Sequence, residues 1–278
     1  MSGQLKIMTI NDLLRQDSEW LKGTGPNADI VMSSRTRLAR NIEKTPFSNR
    51  ADPKQLEQVL TRVKEAALSI GFLKNSTFFR LKDLNEIDRL FLVERHLMSP
   101  EHARDVEFKG LIVDSKEVVS IMVNEEDHLR IQVLQSGLNL KECWRIENEI
   151  DTEFSKRLPY AYSAKWGYLT ACPTNSGTGL RGSVMLHLPA LVFIGQINKV
   201  LQAIAKLGLN VRGFYGEGTE ATGNIFQVSN QASMGMTEED LIDSINKIIN
   251  QSIYREETTR KSLALKSREA LADRVSRA

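Results

Sequence analysis

Cysteine is scarce in this sequence, which has only Cys143 and Cys172 among its 278 residues. Two cysteines cannot build the dense disulfide framework that stabilises small secreted domains. The N-terminal stretch MSGQLKIMTINDLL is too polar to be a secretory signal. Both absences predict a protein of the reducing cytoplasm. The spacing typical of metal ligands is absent too, because the four histidines are scattered, at His96, His102, His128 and His187.

The sequence also lacks long apolar runs and an excess of charge of one sign. No run approaches the roughly 20 apolar residues that span a bilayer. The 37 basic and 35 acidic residues leave a net charge of +2, so no overall field attracts nucleic acid or a membrane. We therefore predict neither a nucleic-acid nor a membrane partner. Apolar residues make up 41%, which is ordinary for a soluble globular protein of one large or two small domains.

The spacing of apolar residues changes along the chain and predicts both helices and strands. Helical spacing occurs at 9–22, 52–70, 139–158, 189–207 and 241–249. Strands are predicted at 111–113, 118–123, 128–134, 167–172 and 182–188, with a hairpin over 209–215 and 224–229. Short links join antiparallel neighbours, since a parallel return needs a long crossover. The pattern predicts the α+β class: a large, mostly antiparallel sheet flanked by helices.

Two arginines occur close together in the segment SSRTR, at Arg35 and Arg37. Residues two apart in an extended segment point to the same side. Neighbouring guanidinium groups suit phosphate oxygens, because each can donate two hydrogen bonds to one group. The alternative is a solvated basic strand.

Three consecutive carboxylates, Glu125, Glu126 and Asp127, directly follow a predicted strand in the segment NEEDHLR. Like charges at such close range raise one another's pKa. A raised carboxyl pKa suits a proton acceptor or a metal–phosphate site. The alternative is an acidic surface turn.

A Gly-rich segment, CPTNSGTGLR, begins with Cys172 and ends with Arg181. Gly177 and Gly179 allow positive φ angles and a close approach of the backbone to a ligand. A thiolate at Cys172 would suit a cationic substrate. The alternative is a buried, inert cysteine followed by a flexible loop.

A second Gly-rich segment, RGFYGEGTE at 212–220, contains Glu217 and Glu220. Such a loop could close over a bound cation, and the alternative is a hairpin turn with exposed acids. Together the four segments supply an arginine clamp for phosphates, carboxylates for a cation and two Gly-rich loops. A kinase acting on a guanidinium group requires this combination, because phosphoryl transfer depends on positioning and charge neutralisation. We therefore expect the four segments to meet in one pocket.

The motifs SSRTRLARN, VNEEDHLRI, CPTNSGTGLRGS and RGFYGEGTEA resemble, in this order, the characteristic blocks of the phosphagen (guanidino) kinase family. The resemblance covers the chain from about residue 30 to about residue 253. It implies ATP with Mg²⁺, and a large antiparallel sheet surrounded by helices, like the catalytic domain of glutamine synthetase. It also implies an N-terminal helical extension at 1–29, a catalytic domain at 30–255 and a C-terminal helical segment at 256–278. Whether a further C-terminal region follows residue 278 is left open.

The resemblance implies a role for each matching residue. Glu126 would bind and orient the guanidinium and is a candidate acceptor of its proton, while Cys172 would lie beside a guanidinium nitrogen as a thiolate. Glu217 and Glu220 would complete the acidic cage, and either could be the more important one. The implied nucleotide-binding residues are Ser33, Ser34, Arg35, Thr36, Arg37, His96, Arg130, Arg181, Gly182, Ser183, Val184, Met185, Arg212, Gly213, Phe214, Tyr215, Gly216 and Glu217. For His96, a place in the core or on the surface is the alternative.

Two departures make the chain most similar to the bacterial protein-arginine kinases within this family. Metabolite kinases carry a helical domain of about 100 residues before the first arginine motif, whereas 32 residues precede Ser33 here. In metabolite kinases that helical domain supplies part of the pocket for the small substrate. A pocket without this part would admit an arginine that belongs to a protein. Tyr215 also stands where metabolite kinases have a phosphate-binding arginine.

The resemblance therefore implies ATP-dependent phosphorylation of exposed arginine side chains on proteins. One alternative is a kinase for free arginine or another guanidino metabolite. An alternative of another class is a catalytically inactive module that binds arginine or phosphoarginine. A homodimer is expected if the C-terminal region typical of this branch is present.

Overall fold

The computed structural model describes residues 9–213, 222–266, 269, 272, 273, 276 and 277. Within them, the helices are α1 (Ile10–Leu14), α2 (Pro53–Leu68), α3 (Glu86–Glu94), α4 (Leu140–Ser155), α5 (Pro189–Phe193), α6 (Ile197–Lys206) and α7 (Glu238–Lys266). The strands are β1 (Val31–Arg40), β2 (Ser76–Arg80), β3 (Gly110–Asp114), β4 (Val119–Val123), β5 (Leu129–Ser136), β6 (Tyr162–Ser163), β7 (Gly167–Tyr168), β8 (Leu180–His187), β9 (Leu209–Gly213) and β10 (Ile225–Asn230).

Eight of these strands form one sheet in the order β2-β3-β4-β5-β1-β8-β10-β9, and every neighbouring pair is antiparallel. Strands β6 and β7 form a separate small hairpin. The predicted α+β class with a large antiparallel sheet is therefore confirmed. The strands predicted between 111 and 134 and the hairpin of β9 with β10 are also present.

One face of the sheet is covered by helices α2, α4, α5, α6 and α7, which bury the main hydrophobic core. Helix α2 begins where the sequence predicts, because Asp52 and Gln55 form a reciprocal capping box ahead of Pro53. Such a cap contributes about 1 kcal/mol to helix stability. Helix α7 contains the segment predicted over 241–249, and it begins after Thr237, whose hydroxyl accepts a hydrogen bond from the amide of Asp240.

The other face of the sheet carries a smaller apolar cluster at its β2–β4 end, built around Leu111, Val113 and Met122 with residues from α1 and α3. The predicted single helix over 9–22 is wrong, because α1 ends at Leu14 and a separate 3₁₀ turn spans Glu19–Leu21. The guanidinium of Arg95 donates hydrogen bonds to the carbonyls of Leu13 and Gln16. These tertiary bonds take carbonyls that a continued helix would have used.

Two further predictions from periodicity are wrong. The helix predicted over 189–207 is divided into α5 and α6 by Gly195, whose φ of +68° ends the first helix. Both pieces face the same core, so the apolar spacing continues across the break. The strand predicted over 167–172 is limited to Gly167 and Tyr168, because the chain then turns into the loop that carries Cys172. Strand β2 and helix α3 are elements that the apolar spacing did not indicate.

No helix among the residues described is both long and apolar enough to cross a membrane. Helix α7 runs without interruption across the predicted boundary at 255 and 256.

Candidate active site

A row of arginines lies on the sheet face opposite the main core. In register, Arg37 on β1 stands opposite Arg181 on β8, and Ala39 on β1 stands opposite Arg130 on β5. Directly paired residues of antiparallel strands point to the same face, and residues two apart do so as well. Arg35 therefore shares this face with the other three. The pairing of β8 with β10 and of β10 with β9 places Arg212 there too.

The neighbouring arginines disfavour one another's charge. Burial lowers the pKa of Arg35 to about 10, with the charges of Arg181 and Arg130 adding to the effect. Burial also lowers the pKa of Arg37 well below its usual value, and Arg35, Arg130 and Arg181 add to it. A bound anion would offset this repulsion, and phosphate oxygens match the guanidinium geometry. The cluster therefore fits a polyphosphate.

The carboxylate motif forms the turn between β4 and β5, beside the arginine row. Asn124 takes a φ of +59°, and its side-chain amide donates hydrogen bonds to the carbonyls of Leu56 and Phe108. This anchor places the next two residues against Arg130. One Nη of Arg130 lies 2.9 Å from Glu125 Oε2, and the other lies 3.1 Å from Glu126 Oε2.

The two adjacent glutamates have different electrostatic environments. Burial raises the pKa of Glu125, but Arg130, the amide of Glu126 and the hydroxyl of Ser99 together lower it below its usual value. Glu126 is more exposed, at 42% of its side chain, so it can reach a ligand. Burial raises the pKa of Glu126, Arg130 opposes the rise, and Asp127 and Glu125 add to it. Glu126 is therefore the better proton acceptor of the two.

Cys172 lies at the start of a loop that contains a 3₁₀ turn at Pro173–Asn175. This residue is half-buried, and its sulfur lies 3.0 Å from the hydroxyl oxygen of Thr174. Gly177 has a φ of +108°, and a Cβ there would stand 2.5 Å from the carbonyl oxygen of Ser233. Only glycine fits this close approach without displacement of the backbone.

One cavity of about 240 Å³ joins these parts of the molecule. It brings the carboxylate of Glu126 and the thiol of Cys172 together with guanidinium groups from four strands. Its lining consists of Arg37, Leu38, Ala39, Glu126, Arg130, Cys172, Thr174, Asn175, Gly179, Arg181 and Arg212. A cation between Glu126 and Cys172 would lie beside an anion held by the arginines. Such a pair of subsites can orient a guanidinium nitrogen toward a terminal phosphate.

Four predicted nucleotide-binding residues occupy strand positions that face away from the arginine row. Ser34 and Thr36 alternate with the arginines of β1 and point into the helix-covered face, where the hydroxyl of Ser34 bonds Gly137 and Asn139. Val184 belongs to the main core, and a Cβ on Gly182 would meet Ile245. Strand alternation is a sequence signal that could have separated these four from the arginines.

The remaining predicted nucleotide-binding residues have different placements. Ser33, Ser183 and Met185 lie on the arginine face, and Ser183 Oγ accepts a bond of 3.4 Å from Arg35 Nε. His96 has a φ of +59°, and burial lowers its pKa, with the charge of Arg35 adding to the effect. Its ring centroid lies 5.2 Å from that of Trp20, a neighbour with no signal in the sequence motifs.

Part of the predicted site lies outside the described residues. These are Phe214, Tyr215, Gly216, Glu217 and Glu220, while Gly213 is the last residue of β9. In the portion that is described, no group of three or more His, Cys, Asp or Glu residues could hold a metal ion.

Comparison with known proteins relates this geometry to a family. Residues 58–259, more than half of the chain, match the family described as ATP:guanido phosphotransferase, C-terminal catalytic domain. A relative from Halothermothrix orenii, named Protein-arginine kinase, is 48% identical over 272 residues, which cover 97% of this chain and 77% of the relative. A relative of the same name from Brevibacillus brevis is 47% identical over 94% of this chain and 73% of its own length.

Solved structures show the same fold. The crystal structure of lombricine kinase superimposes with a TM-score of 0.75 at 24% identity, over 89% of this chain and 73% of that one. The duplicated taurocyamine kinase from Schistosoma mansoni with bound transition state analog components gives a TM-score of 0.75 at 28% identity, over 90% of this chain and 36% of that one.

Proposed function

Because this chain belongs to the ATP:guanido phosphotransferase family, we propose that it transfers the γ-phosphoryl group of ATP to arginine side chains of proteins. The products are N-phosphoarginine on the protein and ADP. Relatives named Protein-arginine kinase align over nearly the whole chain and support the choice of acceptor. The observation that carries the chemistry is the cavity in which Glu126 and Cys172 face the arginine row.

The arginine row is proposed to hold the nucleotide phosphates. Arg35, Arg37, Arg130 and Arg181 project from three adjacent strands, with Arg212 two strands away from β8 on the same face. Fixed cations of this kind stabilise the charge that spreads over a transferring phosphoryl group. Mg²⁺ is proposed to arrive bound to ATP, where it neutralises phosphate charge.

The other half of the cavity is proposed to hold the guanidinium. This group is a poor nucleophile because its lone pairs are delocalised, and its pKa lies above about 12. In the transfer, one nitrogen forms a bond to the γ-phosphorus as the bond from that phosphorus to the ADP oxygen breaks. The nitrogen releases one proton, and Glu126 is placed to accept it. The thiol of Cys172 lines the same cavity and would hold the planar cation in position.

The choice of acceptor can be tested by supplying ATP with either an unfolded arginine-containing protein or free arginine. We expect acid-labile phosphate on protein arginine, detected by mass spectrometry under conditions that preserve P–N bonds, and at least about tenfold less transfer to free arginine. A preference for free arginine would instead establish a metabolite kinase. Tight ATP binding without transfer to either acceptor would establish a binding module.

The pH dependence of kcat tests the proton acceptor. Burial raises the pKa of Glu126, and an acceptor must be deprotonated to work. We therefore expect kcat to fall about tenfold per pH unit below this raised pKa and to level off above it. Initial rates at saturating substrate between about pH 5 and pH 9 would show this limb. An acid limb with the same midpoint in a Glu126→Gln variant would assign it to another group.

A further inference from the structure

The loop that carries Cys172 has little regular structure of its own. Both of its ends are held by hydrogen bonds from side chains at the C-terminal end of β1. At the far end, the guanidinium of Arg40 donates a bond of 2.9 Å to the carbonyl of Thr178. Arg40 is itself held by Asp151, with Nη2 and Oδ2 2.8 Å apart. The next residue along the chain, Asn41, secures the near end, where its side-chain amide donates a bond of 3.0 Å to the carbonyl of Leu169.

A buried carboxylate completes the attachment of the near end. Asp127 Oδ1 accepts a bond of 2.7 Å from the amide of Ala171 and one of 2.6 Å from the side-chain amide of Asn41. Asp127 is fully buried and Asn41 is almost so. Hydrogen bonds to an ionised acceptor are about twice as strong as neutral ones. The main chain before Cys172 is therefore held by a charge-assisted bond.

Asn41 is in turn held in one orientation by His128. The amide of His128 donates to Asn41 Oδ1 at 2.9 Å, so the other side-chain atom of Asn41 must be the donor that faces Asp127. The imidazole Nδ1 of His128 accepts a bond of 3.0 Å from the amide of Ile42, and its Nε2 lies 2.9 Å from the carbonyl oxygen of Pro46. This pattern requires the neutral tautomer with a proton on Nε2.

The hydrogen bond between Asp127 and Ala171 connects the segment that carries Glu126 to the segment that carries Cys172. Each bonded residue is the immediate neighbour of the active one. Asp127 directly follows Glu126, and Ala171 directly precedes Cys172. We propose that Asp127 is a positioning residue that sets the separation between the Glu126 carboxylate and the Cys172 thiol, with Asn41 orienting it. The inference rests on the proposed function, in which both groups hold one guanidinium. A displacement of about 1 Å in such a pair can reduce the rate about 10²-fold.

The test is Asp127→Asn, which keeps an acceptor oxygen for Ala171 but removes the charge. We expect kcat to fall about 10- to 100-fold while the Kd for ADP stays within about twofold. We also expect iodoacetamide to modify Cys172 at least about threefold faster, because the loop is less firmly held. The other cysteine, Cys143, is fully buried, so modification of the folded protein reports on Cys172.

Asp114→Asn is a matched control. Asp114 also accepts bonds from backbone amides, those of Lys116 and Val119, but it lies at the turn between β3 and β4 and belongs to no part of the cavity. We expect Asp114→Asn to lower Tm about as much as Asp127→Asn does, because each substitution weakens hydrogen bonds to backbone amides. We expect it to leave both kcat and the Cys172 modification rate unchanged.

Two results would overturn the positioning role. One is a kcat for Asp127→Asn within about twofold of the wild type. The other is a loss of kcat that is matched by an equal loss of ADP affinity, with unchanged modification of Cys172. If the wild-type protein transfers no phosphoryl group to protein arginine, the proposed function fails. The modification rates of the two variants would still decide whether Asp127 holds the loop.

Discussion

Replacing Glu126 by Gln is expected to lower kcat by roughly 10²- to 10⁴-fold, the usual contribution of a positioned general base. Glutamine keeps the shape of the side chain and one acceptor oxygen, but it can neither take the guanidinium proton nor offer a negative charge. Among the residues described, Glu126 meets the arginine row through its ion pair with Arg130, and its proposed ligand is the guanidinium rather than the nucleotide. The Kd for ADP is therefore expected to stay within about threefold. Single-turnover transfer to an unfolded protein and equilibrium binding of ADP would measure the two effects separately.

Glu65→Gln is the matched control for this substitution. Glu65 is exposed on α2, which packs on the opposite face of the sheet from the cavity. The control should retain the wild-type kcat and Kd. A Glu126→Gln variant with a kcat near that of Glu65→Gln would remove Glu126 from the role of proton acceptor.

Replacing Arg130 by Ala is expected to reduce both nucleotide binding and transfer. A lost charge-assisted bond of about 1.5–3 kcal/mol corresponds to a roughly 10- to 150-fold weaker Kd for ADP. The reduction in kcat is expected to reach about 10³-fold, since a cation that contacts the transferring phosphoryl contributes most in the transition state. The substitution also leaves Glu125 and Glu126 without their shared partner, which adds repulsion beside the phosphates.

Arg130→Lys and Arg255→Ala give this experiment its controls. Lysine restores the charge without the two-pronged donor geometry, so it should recover part of the ADP affinity and less of the kcat. Arg255 is exposed on α7, and its removal should change neither quantity. Unchanged ADP affinity and kcat in Arg130→Ala would exclude Arg130 from the phosphate clamp.

Several features of the site were predictable from local patterns alone. Alternation in an extended segment places Arg35 and Arg37 on one side of β1, as the structure shows. The same rule would have separated Ser34 and Thr36 from them. Helix α2 could be predicted from its cap and its apolar spacing, both of which are local.

Other features depended on contacts between distant parts of the chain. The helix over 9–22 is divided because Arg95 takes the carbonyls of Leu13 and Gln16. The burial of Asp127, and its bond to Ala171, could not be inferred from a run of three acidic residues. The carboxylate of Asp127 accepts a hydrogen bond from the main chain of the loop that carries Cys172. The two segments come within hydrogen-bond distance only in the folded protein.

By itself, the sequence determined the chemical groups available to this protein, the helical or extended spacing of most segments, and the family. Each of these depends on the types of residues at nearby positions along the chain. Only the tertiary structure decided which of those groups share a cavity. Strand pairing in one antiparallel sheet turns Arg37, Arg130 and Arg181 to the same face, and a hydrogen bond from the amide of Ala171 to Asp127 links the segments that carry Cys172 and Glu126. The register of a sheet and the path of a loop depend on long-range contacts, which spacing along the chain does not record.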